Sequence, residues 1–286
     1  RRASGIAGGV IAALCACVAA SLSFAVGSGG AAQQQSAAPD FARAIDNPGR
    51  ASEAIELRER QASTYRLKDG KLVTRVSQEP VHYRRDGRWS KIDKRLGDSS
   101  RAGYLARNAA DEYVAELPAS LADPVRFAAG GAWVTFAIDG YDEVAGSASG
   151  SAASYRLDDA AVLTYTTDAG VLRERIELTS ADASPSYRYD VRASDGLSAA
   201  LASDGSVRFS RDGRQVFRFA PPVAWDAAGK TGDAEFRLDR TDDGYRLTLR
   251  LDPGWLSAAG RRFPVTIDPD VSWVGDATRH HGTDQD

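Results

Sequence analysis

Residues 245–251 read Tyr-Arg-Leu-Thr-Leu-Arg-Leu. Tyr245, Leu247, Leu249 and Leu251 share one side of a two-residue period, with Arg246, Thr248 and Arg250 on the other. Side chains alternate across an extended chain, so this pattern predicts a strand with one buried and one wet face. The dipeptide Asp243-Gly244 precedes it, and Asp-Gly recurs at Asp69, Asp86, Asp139, Asp195, Asp204 and Asp212. Asp-Gly tolerates the positive φ angles of tight hairpins, so its repetition predicts a meander of antiparallel strands.

Strands are predicted over 64–67, 72–76, 81–83, 89–92, 113–117, 133–138, 161–165 and 171–178. They continue over 187–192, 197–202, 207–209, 216–219, 235–238, 245–251 and 263–267. No helical period of useful length separates them, and no fixed-length repeat argues for a propeller or solenoid. The expected fold class is all-β, an antiparallel β-sandwich-like module with many Asp-Gly hairpins. Residues 146–154 are small and polar and are read as a loop and a domain boundary. Residues 252–256 (Asp-Pro-Gly-Trp-Leu) are read as a turn anchoring an aromatic. Pro264 and Pro269 are expected to confine the strand between them to an edge or a domain exit.

The ends differ from the middle. Arg1-Arg2 opens the chain, no charge follows from Ala3 to Pro39, and 5–26 is almost wholly apolar or small. That order predicts a secretory signal peptide over 1–32, cleaved after Ala32, with an uncleaved membrane anchor as the alternative. Leu14-Cys15-Ala16-Cys17 partly matches a lipoprotein cleavage box, and Arg1-Arg2 could be the remnant of a twin-arginine signal. Residues 33–54 are rich in Ala, Gln and Ser and read as a flexible linker, and 53–61 reads as a short helix or an extended lead-in. The expected division of the remainder is a hairpin region over 55–120, a sandwich-like domain over 121–270, and a linker or start of a further module over 271–286. The chain has no Met, and is expected to be incomplete at both ends.

Composition narrows the chemistry. Cys15 and Cys17 are the only cysteines, and cleavage after Ala32 would remove both, leaving no thiol for a nucleophile, a metal or a disulfide. Loss of Arg1 and Arg2 leaves 34 basic against 39 acidic residues, a net charge of −5. A mildly acidic, mixed-sign surface is the reason to expect no nucleic-acid partner.

Candidate sites are few. Histidines occur at His82, His280 and His281. The last two could join Asp284 and Asp286 around a metal, but neighbouring residues of a strand face opposite ways and no H-E-x-x-H motif is present. A serine-hydrolase elbow fails at Ala148 in Gly146-Ser147-Ala148-Ser149-Gly150. The acid pairs Asp142/Glu143, Asp158/Asp159 and Asp242/Asp243 could serve a glycosidase, yet each lies where Asp favours a turn. Trp89, Trp133, Trp225, Trp255 and Trp273 could form a sugar platform, although strand aromatics are usually core. No catalytic, cofactor-binding or metal-binding residue is assigned, and no cofactor is expected.

Several segments in order carry a resemblance: 80–93 (Pro-Val-His-Tyr-Arg-Arg-Asp-Gly-Arg-Trp-Ser-Lys-Ile-Asp), 103–109 (Gly-Tyr-Leu-Ala-Arg-Asn-Ala), 204–209 (Asp-Gly-Ser-Val-Arg-Phe), Pro221-Pro222-Val223, and 262–269 (Arg-Phe-Pro-Val-Thr-Ile-Asp-Pro). Their order over about 55–270 resembles the N-terminal β-rich region of large secreted actinobacterial proteins that continue into DNRLRE-type modules or RHS/YD-repeat shells. The resemblance implies a secreted or cell-surface location and brings no catalytic residue. The expected function is a non-enzymatic structural or interaction module, touching cell-wall polysaccharide or the protein's own downstream modules, and touching membrane only through its signal segment. The alternative is a glycan-binding or glycan-active secreted protein.

Overall fold

The computed structural model describes residues 22–25 and 50–274. Most of 1–32, where a signal peptide is expected, and of 33–54, where a linker is expected, and all of 275–286 with His280 and His281, lie outside the described residues. The chain divides into two compact units between Glu79 and Pro80. The first holds a four-stranded sheet in the order Leu22–Ala25, Leu72–Val76, Ala62–Leu67, Ala51–Glu53. Residues Ile55–Leu57 form a single 3-10 turn, so within 53–61 the short helix is one turn long.

The second unit is a sandwich of two large antiparallel sheets. The eight-stranded sheet runs Ala234–Thr241, Gly244–Leu251, Ser186–Ala193, Ala132–Ile138, Val125–Ala129, Val114–Pro118, Tyr104–Ala110, Asp93–Asp98. The eleven-stranded sheet carries Gly146–Ser149, Ala152–Arg156, Ala161–Asp168, Val171–Leu178, Val271–Trp273, Arg214–Phe219, Val207–Arg211 and Ser198–Leu201 along its main path. Its remaining strands are Val223–Trp225, Thr231–Gly232 and Val265–Asp268.

Alternation builds the core, as the sequence predicts. Ala132, Val134, Phe136 and Ile138 face inward from one sheet and Ala161, Leu163 and Tyr165 from the other. Phe136 meets Phe219 at 5.4 Å and Tyr165 at 6.0 Å, edge to face, and Phe127 meets Phe217 at 5.7 Å. These cross-sheet aromatic contacts are the offset geometries that ring quadrupoles favour. Two hydroxyls tie the layers further: Tyr155 donates to the Pro118 carbonyl at 2.8 Å, and Tyr113 to the Val171 carbonyl at 2.8 Å.

Turn chemistry follows the sequence at two Asp-Gly sites. Asp86 and Gly87 have φ of 50° and 76°, Asp212 and Gly213 have 51° and 75°, and both pairs close two-residue hairpins. Asp243-Gly244 differs. Thr241 pairs with Gly244, so the two-residue loop is Asp242-Asp243 and Gly244 already belongs to the strand. The glycine is needed for close approach, since a Cβ there would lie 2.3 Å from the Val191 carbonyl oxygen.

Three sequence expectations are corrected. Residues 146–154 are not a boundary loop: Gly146–Ser149 and Ala152–Arg156 form a hairpin, and Tyr155 packs so tightly over Gly146 that a Cβ there would lie 2.5 Å from its ring. Small residues serve close packing there. The strand Val265–Asp268 is interior, pairing with Val171–Leu178 on one side and Val223–Trp225 on the other. The prolines sit just outside it and remove no ladder donor. Val271–Trp273 inserts between Val171–Leu178 and Arg214–Phe219, so regular structure continues past Asp270. Residues 252–256 make one helical turn, Pro253–Leu256, capped by the Asp252 carboxylate accepting from Gly254 N–H at 2.8 Å. Among the described residues, no helix is long and apolar enough to cross a membrane.

Candidate functional site

Two places in the second unit concentrate chemistry. The first centres on Glu174 in the sandwich core, with Asp268 and Asp270 half-buried near it. In Val171–Leu178 the inward register runs Leu172, Glu174, Ile176, Leu178, so a carboxylate occupies a core position. Glu174 is 4% exposed and accepts a 2.5 Å hydrogen bond from the Tyr189 hydroxyl of the facing sheet. Burial pushes its carboxyl up to about 7, against the lowering effect of the Tyr189 and Tyr165 hydroxyls, and Asp268 and Asp270 push it the same way as burial. Burial and the neighbouring Asp268 also raise Asp270 to about 7. Asp268 and Asp270 each keep one buried oxygen without a hydrogen-bond partner. Arg173 offsets part of this charge, bonding Asp270 at 2.9 Å and Asp168 at 3.1 Å, and Lys94 pairs with Asp168 as well.

Carboxyls held near 7 are suited to proton transfer at neutral pH. The space beside them decides otherwise for a large substrate. Glu174, Tyr189, Phe219 and Pro269 line a cavity of about 10 Å³, room for roughly one water. A ribose or a sugar ring does not fit in that space.

The second place is the hairpin of His82–Arg85 and Arg88–Lys91, a two-stranded sheet of its own. His82 and Tyr83 are buried and anchor its base. At the tip, Arg85 stands directly across from Arg88. Arg84, Arg85, Arg88 and Lys91 are all exposed, and Asp86 is the single acid of the hairpin. Arg84 is held in place: its Nη1 donates to the Gly87 carbonyl at 2.6 Å, and its guanidinium lies 4.4 Å from the Trp89 ring centroid. Like charges opposed across a strand pair are destabilising. The tip therefore keeps an unfavourable arrangement on a preorganised turn.

The candidates named from sequence are scattered. His82 is a buried anchor. Asp142, Glu143, Asp158, Asp159, Asp242 and Asp243 are exposed turn or loop residues, with Asp158 accepting from Ala160 N–H at 2.7 Å. Trp89 and Trp133 belong to different sheets, each beneath its own arginine, Arg84 and Arg126. Trp255 lies 3.5 Å under Arg261, whose Nη1 also bonds the buried Asp226 at 2.8 Å. Among the described residues, no group of three or more His, Cys, Asp or Glu could hold a metal ion. Sequence reasoning missed Glu174, although a Glu in the inward register of an alternating strand is a legible signal. It missed the basic hairpin because charge was averaged over the whole chain.

No family model matches the chain, and no solved structure matches it. Curated relatives do. The chain is 28% identical over 110 residues to the tRNA3(Ser)-specific nuclease WapA of Bacillus spizizenii, and 27% identical over 110 residues to the tRNA(Glu)-specific nuclease WapA of Bacillus subtilis subsp. natto. It is 32% identical over 85 residues to the tRNA nuclease WapA of Bacillus subtilis. The matches take in 35%, 35% and 27% of this chain, which spans only 5%, 5% and 4% of the relatives' length. These relatives overturn three expectations together: a non-enzymatic module, no enzyme, and no nucleic-acid partner. The chain's net charge of −3 is an average over all its residues, and it conceals a hairpin with four cations and one acid. What the sequence resembles is a segment of proteins named for cutting tRNA.

Proposed function

We propose that this chain is a β-sandwich segment of a WapA-like protein whose activity is the cleavage of tRNA. The local identity to three relatives named as tRNA nucleases carries the reading. An exposed basic hairpin on an otherwise acidic chain supports it, because RNA is first held through its phosphates. The protein acts outside the cell that makes it. The signal-like order of Arg1-Arg2 and the apolar run behind it supports that location, as does the resemblance of residues 55–270 to secreted DNRLRE and RHS/YD-repeat proteins.

The test is direct. The 286-residue chain, and the full gene product that contains it, are incubated with total tRNA, and new RNA ends are mapped by sequencing. Cleavage of a restricted set of tRNAs by the full product is expected. Intact tRNA after prolonged incubation with folded full-length protein would overturn the proposal.

A further inference from the structure

We infer that the tip of the His82–Lys91 hairpin is an RNA-phosphate contact surface, formed by Arg85 and Arg88 and braced by Arg84 on Trp89; the inference rests on the tRNA reading above. Three observations carry it. Arg85 and Arg88 are exposed, and neither makes an ion pair with a described residue. Some arginines of this unit are matched to acids, as Arg173 is to Asp168 and Asp270, Arg246 to Asp190, and Arg208 to Asp204. The hairpin also departs from what stability alone would select. Arg85 faces Arg88 across the ladder, at roughly 5 Å between Cβ atoms, close enough for both guanidinia to reach one phosphate or two successive ones.

The third observation is rigidity. Asp86 and Gly87 adopt positive φ angles of 50° and 76° in a two-residue loop, and Arg84 bonds the loop carbonyl of Gly87 while stacking on Trp89. A cationic tip already fixed in shape loses little freedom on binding, so its charge converts efficiently into affinity. Asp86 is the one acid within the hairpin itself. It occupies a position that positive φ restricts to Gly, Asn or Asp, so turn geometry accounts for its presence without a role in binding.

Cell-wall teichoic acid presents phosphates too. The tRNA names of the relatives favour RNA, and the experiment separates the two polymers. Binding of fluorescently labelled tRNA to the 286-residue chain is measured by anisotropy from 0.05 to 0.3 M KCl. The proteins are the wild type, the double variant Arg85→Gln/Arg88→Gln, and Asp86→Asn. Poly(glycerol phosphate) serves as competitor, and circular dichroism confirms that each variant keeps the β spectrum. Each phosphate contact releases condensed counterions, so losing two should weaken binding roughly 10- to 30-fold at 0.15 M salt and lower the slope of log K against log salt by about 2. Asp86→Asn preserves the turn and removes the opposing charge, so it should bind tRNA about 3- to 5-fold more tightly, by the same counterion arithmetic. A gain of affinity cannot arise from misfolding.

Double-variant affinity within twofold of wild type overturns the inference, and so does Asp86→Asn binding no better. If hairpin-dependent binding appears for poly(glycerol phosphate) and not for tRNA, the surface is a wall-polymer site and the RNA assignment falls. Cleavage by the full gene product reports separately on the nuclease reading. Persistent cleavage together with hairpin-independent binding refutes only the placement of the contact.

Discussion

Replacing Glu174 by Gln should change how stability depends on pH more than it changes stability itself. In the unfolded chain a Glu titrates near its ordinary 4.5, whereas burial between the sheets, with Asp268 and Asp270 nearby, raises Glu174 to about 7. The folded state therefore holds the proton more tightly than the unfolded state. The stabilisation from this group is fully present below pH 4.5 and is lost as pH rises through about 7. Each factor of ten in acidity is worth about 1.4 kcal/mol, so the whole effect is about 3 kcal/mol, and about 2 to 3 kcal/mol of it is lost between pH 5 and 8. Gln keeps an oxygen that can accept from Tyr189 and carries no proton to lose. At pH 5 the variant should lie within about 1 kcal/mol of wild type, the size of one exchanged hydrogen bond. At pH 8 the variant should be the more stable protein. All five tryptophans, Trp89 through Trp273, fall in the second unit, so urea unfolding followed by tryptophan emission reads the sandwich without the first unit. Asp270, raised by its own burial and by Asp268, adds a slope of the same sign that Glu174→Gln leaves in place. The reasoning fails if wild type and Glu174→Gln lose equal stability from pH 5 to pH 8.

Three further outcomes are expected. Arg85→Gln removes a like-charge pair from the hairpin and should raise the unfolding free energy by about 0.2–1 kcal/mol while weakening polyanion binding; a loss of stability in thermal melts would show that Arg85 has a structural partner. Phe136→Ala empties a position that is 2% exposed between Tyr165 and Phe219, and should cost about 3–5 kcal/mol in urea titration. Gly244→Ala places a methyl 2.3 Å from the Val191 carbonyl oxygen, which forces a backbone shift worth about 1–3 kcal/mol; amide exchange in Ser186–Ala193 and Gly244–Leu251 should accelerate, while that in the distant strand Gly146–Ser149 should not.

The sequence determined the strands and their faces. Alternation in 132–138, 161–168, 171–178 and 245–251 is enforced by the pleat itself, because a one-residue slip would turn Phe136, Tyr165, Ile176 and Leu249 to water. It also determined the turns at Asp86-Gly87 and Asp212-Gly213, where backbone preference is local. Pairing between distant segments was not legible. Val265–Asp268 and Val271–Trp273 are short and proline-flanked, and their place inside a sheet depends on partners some 90 residues earlier at 171–178 and 50 residues earlier at 216–225. The same limit applied to chemistry. Glu174 acquires its near-neutral titration only when the facing sheet excludes water from it, and Asp268 comes near it only through Val265–Asp268 joining that strand. The cations of 84–91 stand in the sequence for anyone to count, but ladder pairing alone sets Arg85 against Arg88. Local periodicity is written in neighbouring residues, whereas desolvation and charge pairing are properties of what folding brings together.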